Sequence, residues 1–323
     1  MAEHILFLAQ EEIRKLDLPA ARMLSLVEST LRSKQAGGTE MPAKLGVHTR
    51  PGSFLHAMPG YLGDTDTAGL KWIGYYPDNG RLGVPAINGL IILNNAETGQ
   101  PTAIMDANWI TAYRTAAVSA LSCRLLTDKQ PGRLALIGYG VQAESHLRVF
   151  CDLFPLQKVS VWGPNAERCR QFVGRQQVCS DTVLFAAPSA EMAVKDADLV
   201  ISVTPIGVTP VQQLKYQWLK PGAVVCPVEF DSAWDRELFQ RASLLATDDL
   251  NQFEAYRNKG YFTDVPTPHA DLAGLLADSA PPPERDNGIA VTVNLGIGLM
   301  DLAFAEELYR LALQQGLGTQ LSC

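Results

Sequence analysis

Leu134-Ala-Leu-Ile-Gly-Tyr-Gly-Val-Gln-Ala-Glu-Ser-His146 opens on a short apolar run and passes through two closely spaced glycines into a helical pattern. The run reads as a buried strand, and Gly138, Gly140 and Ala143 punctuate the turn into the helix with Gly-x-Gly-x-x-Ala spacing. Each small residue has its own task. Gly138 permits the tight turn, Gly140 lets backbone N–H groups approach a phosphate, and Ala143 lets the helix pack close to the strand. Val141 and Gln142 begin that helix, whose free N–H groups face the negative charge of a dinucleotide pyrophosphate.

An ordinary glycine turn has the same outline, so the surroundings decide. Lys158-Val-Ser-Val-Trp162 reads as a second strand, and Ala197 to Val203 and Ala223 to Val228 as later ones, with helical patterns between. That alternation predicts an α/β fold built on a Rossmann-type, doubly wound parallel sheet. The acid that usually ends the second strand and binds the ribose 2′-hydroxyl of NAD is missing from Val161-Trp-Gly-Pro-Asn-Ala-Glu-Arg168. Asn165 and Arg168 are candidates to receive a 2′-phosphate, while Glu167 keeps NAD open, so the cofactor is written NAD(P)H.

A chain of 323 residues suits two domains, and 47% hydrophobic with 19% charged residues is ordinary for a soluble globular protein. A net charge of -7 with no basic stripe argues against nucleic acid or an anionic membrane as partner. The six cysteines are scattered without ligand-like spacing, which points away from a disulfide framework or metal site and towards a reducing compartment. No apolar stretch has the length of a membrane span or signal peptide, so the expected location is the cytoplasm.

Along the chain, residues 10 to 34 have helical spacing, and an extended segment covers 41 to 50. Strands are expected at Ser53 to Gly60, Gly69 to Tyr75 and Asn88 to Asn94, the last entering a hairpin through Asn95-Ala-Glu-Thr-Gly99. A long helix spans Asn108 to Leu126. The expected division is a first α+β domain over 1–126, the parallel sheet over 127–295, and a segment 296–323 returning to the first domain. Pro281 to Asp286 reads as a surface loop, Gly288 to Gly296 as a last strand, and Gly298 to Gln315 as a final helix with an apolar face.

Four side chains are candidates for chemistry. Lys71, inside the apolar strand Leu70 to Tyr76, either faces solvent or points into a cleft where desolvation lowers its pKa. Arg114 near the start of an alanine-rich helix suits a bidentate carboxylate clamp. Asp231 follows the strand Ala223 to Val228 at the carboxyl end of the sheet, where open α/β sheets bind ligands. His56 is an acid–base candidate or a packed histidine.

These stretches together resemble the ornithine cyclodeaminase/mu-crystallin family. The resemblance is carried by Met58-Pro59, Gly69-Leu-Lys71, Pro77-Asp-Asn79, Asn94 to Pro101, Arg114-Thr-Ala-Ala117, Ile137 to Ala143, Leu219-Lys-Pro-Gly222 and Asn294-Leu-Gly296 through Asp301. It implies a homodimer formed through a discontinuous substrate domain, a Rossmann domain holding a nicotinamide cofactor, and a small amino, imino or keto acid substrate in the cleft between domains. By position it implies that Lys71 and Arg114 serve the substrate carboxylate and catalysis, and that Asp231 stands beside the substrate nitrogen. It likewise implies that Gln142 and Thr115 lie near the phosphates, Thr204 along the cofactor, and Asn294 near the nicotinamide amide. Lys44 falls where many members place a carboxylate-binding arginine.

Ornithine cyclodeaminases carry glutamate at the position matching His56, and Gly74-Tyr-Tyr-Pro-Asp-Asn79 is more similar to dehydrogenase and imine-reductase members. The expected activity is therefore NAD(P)-dependent hydride transfer at the α-carbon of a small amino or imino acid. The alternatives are a cyclodeaminase that releases ammonia with catalytic NAD, and a non-enzymatic NADPH-binding protein of crystallin type.

Overall fold

The computed structural model describes residues 4–176, 181–206, 211–279 and 286–322. The chain divides into two compact units, one formed by Met1–Arg114 with Gly296–Cys323 and the other by Thr115–Leu295.

The first unit begins with β1 (His4–Leu8), α1 (Gln10–Lys15) and α2 (Ala20–Gln35). The helical pattern over 10 to 34 breaks where Asp17 takes left-handed backbone (φ 42°) and Pro19 caps α2. Met23, Leu24, Val27 and Leu31 form the buried stripe of α2. There follow β2 (Thr39–Glu40), β3 (Leu45–Arg50), β4 (Ser53–Leu62), β5 (Thr67–Tyr75), β6 (Ile87–Asn95) and β7 (Pro101–Asp106).

Strands β3 to β7 form an antiparallel meander, in which directly opposed residues share a face. Met58, Lys71 and Ile91 make one cross-strand row and are all buried. The adjacent row, Leu45, Ala57, Trp72 and Leu90, therefore points the opposite way, and its three large side chains are exposed.

Helix α3 (Asn108–Leu126) leads out of this meander. The division between units falls inside it, between Arg114 and Thr115, and not at its end. A helix end is visible in a sequence, whereas a change of packing partner along one helix is not.

The second unit runs β8 (Arg133–Ile137), α4 (Val141–Leu153), β9 (Lys158–Trp162), α5 (Ala166–Arg175), β10 (Val183–Ala186), α6 (Ala190–Val194) and β11 (Leu199–Ser202). It continues through β12 (Val224–Pro227), α7 (Arg236–Gln240), β13 (Leu244–Thr247), α8 (Leu250–Arg257), β14 (Ala270–Asp271), α9 (Leu272–Leu276) and β15 (Ala290–Val293). All pair in parallel in the order β10-β9-β8-β11-β12-β15-β13-β14. The order reverses between β8 and β11, the switch point beside which doubly wound sheets bind ligands. Of the expected loop at 281–286, residues 281–285 lie outside the described residues.

The chain closes with α10 (Gly298–Gln315) and β16 (Thr319–Ser322), which pairs antiparallel with β1. The first unit thus has an eight-stranded sheet ordered β16-β1-β7-β6-β5-β4-β2, with β3 also on β4. Strand β16 lies beyond the one the sequence marks as last, and Thr-Gln-Leu-Ser carries too little alternation to announce it.

Candidate active site

In the first unit, Lys71 is 1% exposed and Asp301 is fully buried. Lysine Nζ lies 2.6 Å from Asp301 Oδ2, and Arg114 Nε donates to Asp301 Oδ1 at 2.9 Å. A lysine is rarely buried to this degree without a partner, and Asp301 supplies one to both cations. Gly296, in left-handed backbone (φ 81°), lets the guanidinium lie against the chain, since a Cβ there would stand 2.8 Å from Arg114 Nη1.

Burial pulls the Lys71 pKa down to about 7, helped by the charges of Arg114 and Lys44 and opposed by Asp301. Lys44 is itself buried. Two cationic side chains thus meet one internal carboxylate, with the charge of Lys44 near enough to act on Lys71, an arrangement that favours a further anion, and the guanidinium fork of Arg114 suits a bidentate carboxylate. Asp301 ends the motif that starts at Asn294. Its signal as a site residue was a lone acid among Leu299, Met300, Leu302 and Ala303 on an otherwise apolar helix face.

His56 opposes Ile73 across β4 and β5, so it shares the face of Lys71. Its ring stacks on Phe54 with centroids 4.0 Å apart and lies close over Gly46. The structure therefore places Lys44, His56, Lys71 and Arg114 in one unit, with Asp301 added.

The second unit carries the glycine turn. Gly138 has φ 131°, and a Cβ there would meet Val203 at 2.8 Å, so only glycine fits. Gly140 caps α4 and faces open space where a Cβ would stand, while Val141 is exposed beside it and Ala143 is fully buried. This is the cradle that a pyrophosphate at a helix N-terminus requires, and the residues present fit a dinucleotide. His146 braces the turn: Nδ1 donates to the Gln142 carbonyl at 2.6 Å, and Nε2 accepts from the Ser119 hydroxyl at 3.0 Å.

At the end of β9 the place of the missing acid is filled. A Cβ on Gly163 would lie 2.3 Å from Tyr139 Cε1, because the tyrosine ring packs across that glycine. Asn165 accepts from the Arg168 N–H as the cap of α5, and Arg168 is exposed in the first turn. Glu167 is held by Arg170 and Gln171, on its own helix. Asn294 is buried, donating to Ser122 Oγ at 2.9 Å and accepting from Thr292 Oγ1 at 3.0 Å, so it is also an internal strut. Thr115 and Thr204 lie in the second unit as well.

Two acids follow β12. Asp231 is 5% exposed and accepts at Oδ2 from Arg236 Nη1 (2.8 Å) and the Phe262 N–H (3.0 Å). Glu229, which no motif in the sequence marks, is buried, and Oε1 accepts from the Ser202 hydroxyl at 2.7 Å. Burial lifts its pKa to about 7 despite that hydrogen bond. Among the described residues no group of His, Cys, Asp and Glu is arranged to hold a metal ion, and no helix is long and apolar enough to cross a membrane.

The profile of the Ornithine cyclodeaminase/mu-crystallin family matches residues 3–315. The chain belongs to that family. It is 31% identical to the nodulation efficiency protein NfeD of Rhizobium meliloti over 326 aligned positions, covering 100% of both chains. The Delta(1)-pyrroline-2-carboxylate reductase of Thermococcus litoralis, solved with NADH and L-proline, superposes with a TM-score of 0.88 at 26% identity, covering 98% of this chain and 100% of that one. An archaeal alanine dehydrogenase dimer with bound NAD superposes at 0.86 with 28% identity, covering 99% of each chain.

Proposed function

We propose that this protein is an NAD(P)-dependent oxidoreductase that interconverts a small α-imino or α-keto acid and the corresponding amino acid. The observation that carries the reading is the buried group of Lys71, Arg114 and Asp301. A fold does not need two cations tied to one carboxylate in its interior, but a carboxylate-binding site does. The glycine cradle of the second unit and the NADH and NAD found in similar proteins support a nicotinamide cofactor.

Residues 138 to 143 would hold the pyrophosphate, and the nicotinamide, when bound, supplies or accepts hydride. The rest belongs to the chain. Arg114 and Lys71, with the nearby charge of Lys44, hold the substrate carboxylate and so fix the α-carbon. Asp231 keeps one carboxylate oxygen for the substrate nitrogen and steadies its positive charge. His56 walls the side-chain end of the same face as Lys71.

The outward row of β3 to β6, with Leu45, Trp72 and Leu90 exposed, supports a homodimer formed through the first unit. The thiols of Cys123, Cys169 and Cys226, none of them in a disulfide, suit a reducing compartment such as the cytoplasm.

The test is absorbance at the reduced-nicotinamide band with NADH or NADPH, supplying Δ1-pyrroline-2-carboxylate, or pyruvate, glyoxylate or oxaloacetate with ammonia or methylamine. Oxidation that needs an imine, or both carbonyl and amine, is expected. Silence across the panel together with ammonia release from ornithine under catalytic NAD would instead establish a cyclodeaminase. Tight NADPH binding without any turnover would leave a binding protein.

A further inference from the structure

The two oxygens of Asp231 are used unequally. Oδ2 accepts two hydrogen bonds, from Arg236 and from the Phe262 N–H, and Oδ1 has no hydrogen-bond partner among the described residues. One oxygen anchored and one left open is how a carboxylate is made to present a lone pair in a fixed direction.

The two anchors differ in kind. Phe230, next to Asp231, and Phe262 both take left-handed backbone, at φ 67° and 54°, a conformation that bulky residues rarely adopt. Their rings pack into an aromatic group with Phe253, Tyr256 and Tyr261, which holds the strained backbone in place. The Phe262 N–H is therefore aimed by the core. Arg236 opens α7 and its side chain remains 27% exposed, so the core does not need it. Tyr261 also faces Asp231, and burial together with that neighbouring charge raises its hydroxyl pKa and keeps it neutral.

We propose that Arg236 is a positioning residue, which ties down Asp231 Oδ2 so that Oδ1 meets the substrate nitrogen as a charged acceptor. This rests on the reading of Asp231 given above. The 2.8 Å charge-assisted contact removes the carboxylate's freedom to rotate.

The test uses Arg236→Gln, Arg236→Lys, Asp231→Asn and the Arg236→Gln/Asp231→Asn double variant of the full chain. Each is assayed for reduction of Δ1-pyrroline-2-carboxylate and of pyruvate with ammonia, with NADH affinity by fluorescence and melting temperature alongside. Arg236→Gln is expected to lower kcat/KM about tenfold or more, chiefly through kcat with KM little changed. NADH affinity should stay within about twofold, and Arg236→Lys should recover most of the rate, because it restores the charge. In the Asp231→Asn background, Arg236→Gln should add nothing, since its effect passes through that carboxylate. Arg236→Gln at the wild-type rate beside an impaired Asp231→Asn would overturn the positioning role, as would losses that multiply in the double variant. A fully active Asp231→Asn would overturn the role of Asp231 itself, and a wild-type protein silent on both substrates would overturn the proposed reaction and this assignment with it.

Discussion

Lys71 shows what one side chain can and cannot announce. In Leu70-Lys-Trp-Ile-Gly-Tyr-Tyr76 the hydropathy of the residues suggests that the tryptophan is inside and the lysine outside, yet the reverse holds. Strand parity carried the answer, because Lys71 shares the face of Ile73 while Trp72 takes the other. The partner Asp301 was beyond reach, since no spacing rule links residues so far apart. With a pKa near 7, Lys71 is only partly protonated at neutral pH, and a bound carboxylate favours the charged form. Substrate binding at pH 7 to 8 should therefore take up a proton, seen as a buffer-dependent heat in calorimetry and absent in Lys71→Met. Asp301→Asn should cost on the order of 3–5 kcal/mol of stability by leaving buried cations uncompensated, which a denaturant titration checks. Gly163 marks the opposite limit of legibility: the sequence shows that an acid is missing, and only the structure shows the Tyr139 ring in its place. Gly163→Asp should accordingly weaken NADH binding, measured by fluorescence, whereas a simple gain of a ribose-binding acid predicts tighter binding.

At the scale of elements, the turn from β8 into α4 and the helices α3 and α10 were legible because each rests on local rules of glycine spacing and apolar period. The short strands β10, β13 and β14 were not: each has four residues or fewer, and unlike β11, β12 and β15 none was marked out by the sequence on either side of it. The hydrogen bonds that fasten α4 to α3 make a prediction. His146 is buried and neutral, its pKa lowered to about 4 by desolvation. The unfolded chain takes up that proton near pH 6.5 and the folded one only near pH 4, so stability is lost as pH falls across that window, by about 3 kcal/mol in all. Glu229 has the opposite sign: its pKa is raised from 4.5 to about 7, so its contribution is complete below pH 4.5 and is lost as pH rises to 7. His146→Gln should flatten the acid side of a melting temperature against pH curve. Glu229→Gln should flatten the neutral side, and the reverse pattern would refute both assignments.

For the molecule as a whole, the proposed homodimer rests on the outward row of the first unit, where Leu45, Trp72 and Leu90 are exposed. Trp72→Glu should place a charge on the face proposed to be shared between two copies and yield a monomer in sedimentation, while leaving the inward row of Met58, Lys71 and Ile91 untouched. A dimer that survives that change would put the interface elsewhere. The chain's last segment returns to the first unit, where β16 closes the sheet against β1, a pairing that no periodicity in Thr319 to Ser322 announces. That return also governs how the protein comes off the ribosome. The unit formed by Thr115–Leu295 is continuous and complete before residue 296 is made, whereas the other must wait for α10 and β16. Until Asp301 emerges, Lys71 and Arg114 have no counter-ion, and β1 has an open edge where β16 will pair. The nascent chain thus carries an unfinished sheet through most of its synthesis, and the ion-paired group of Lys71, Arg114 and Asp301 is among the last parts to be completed.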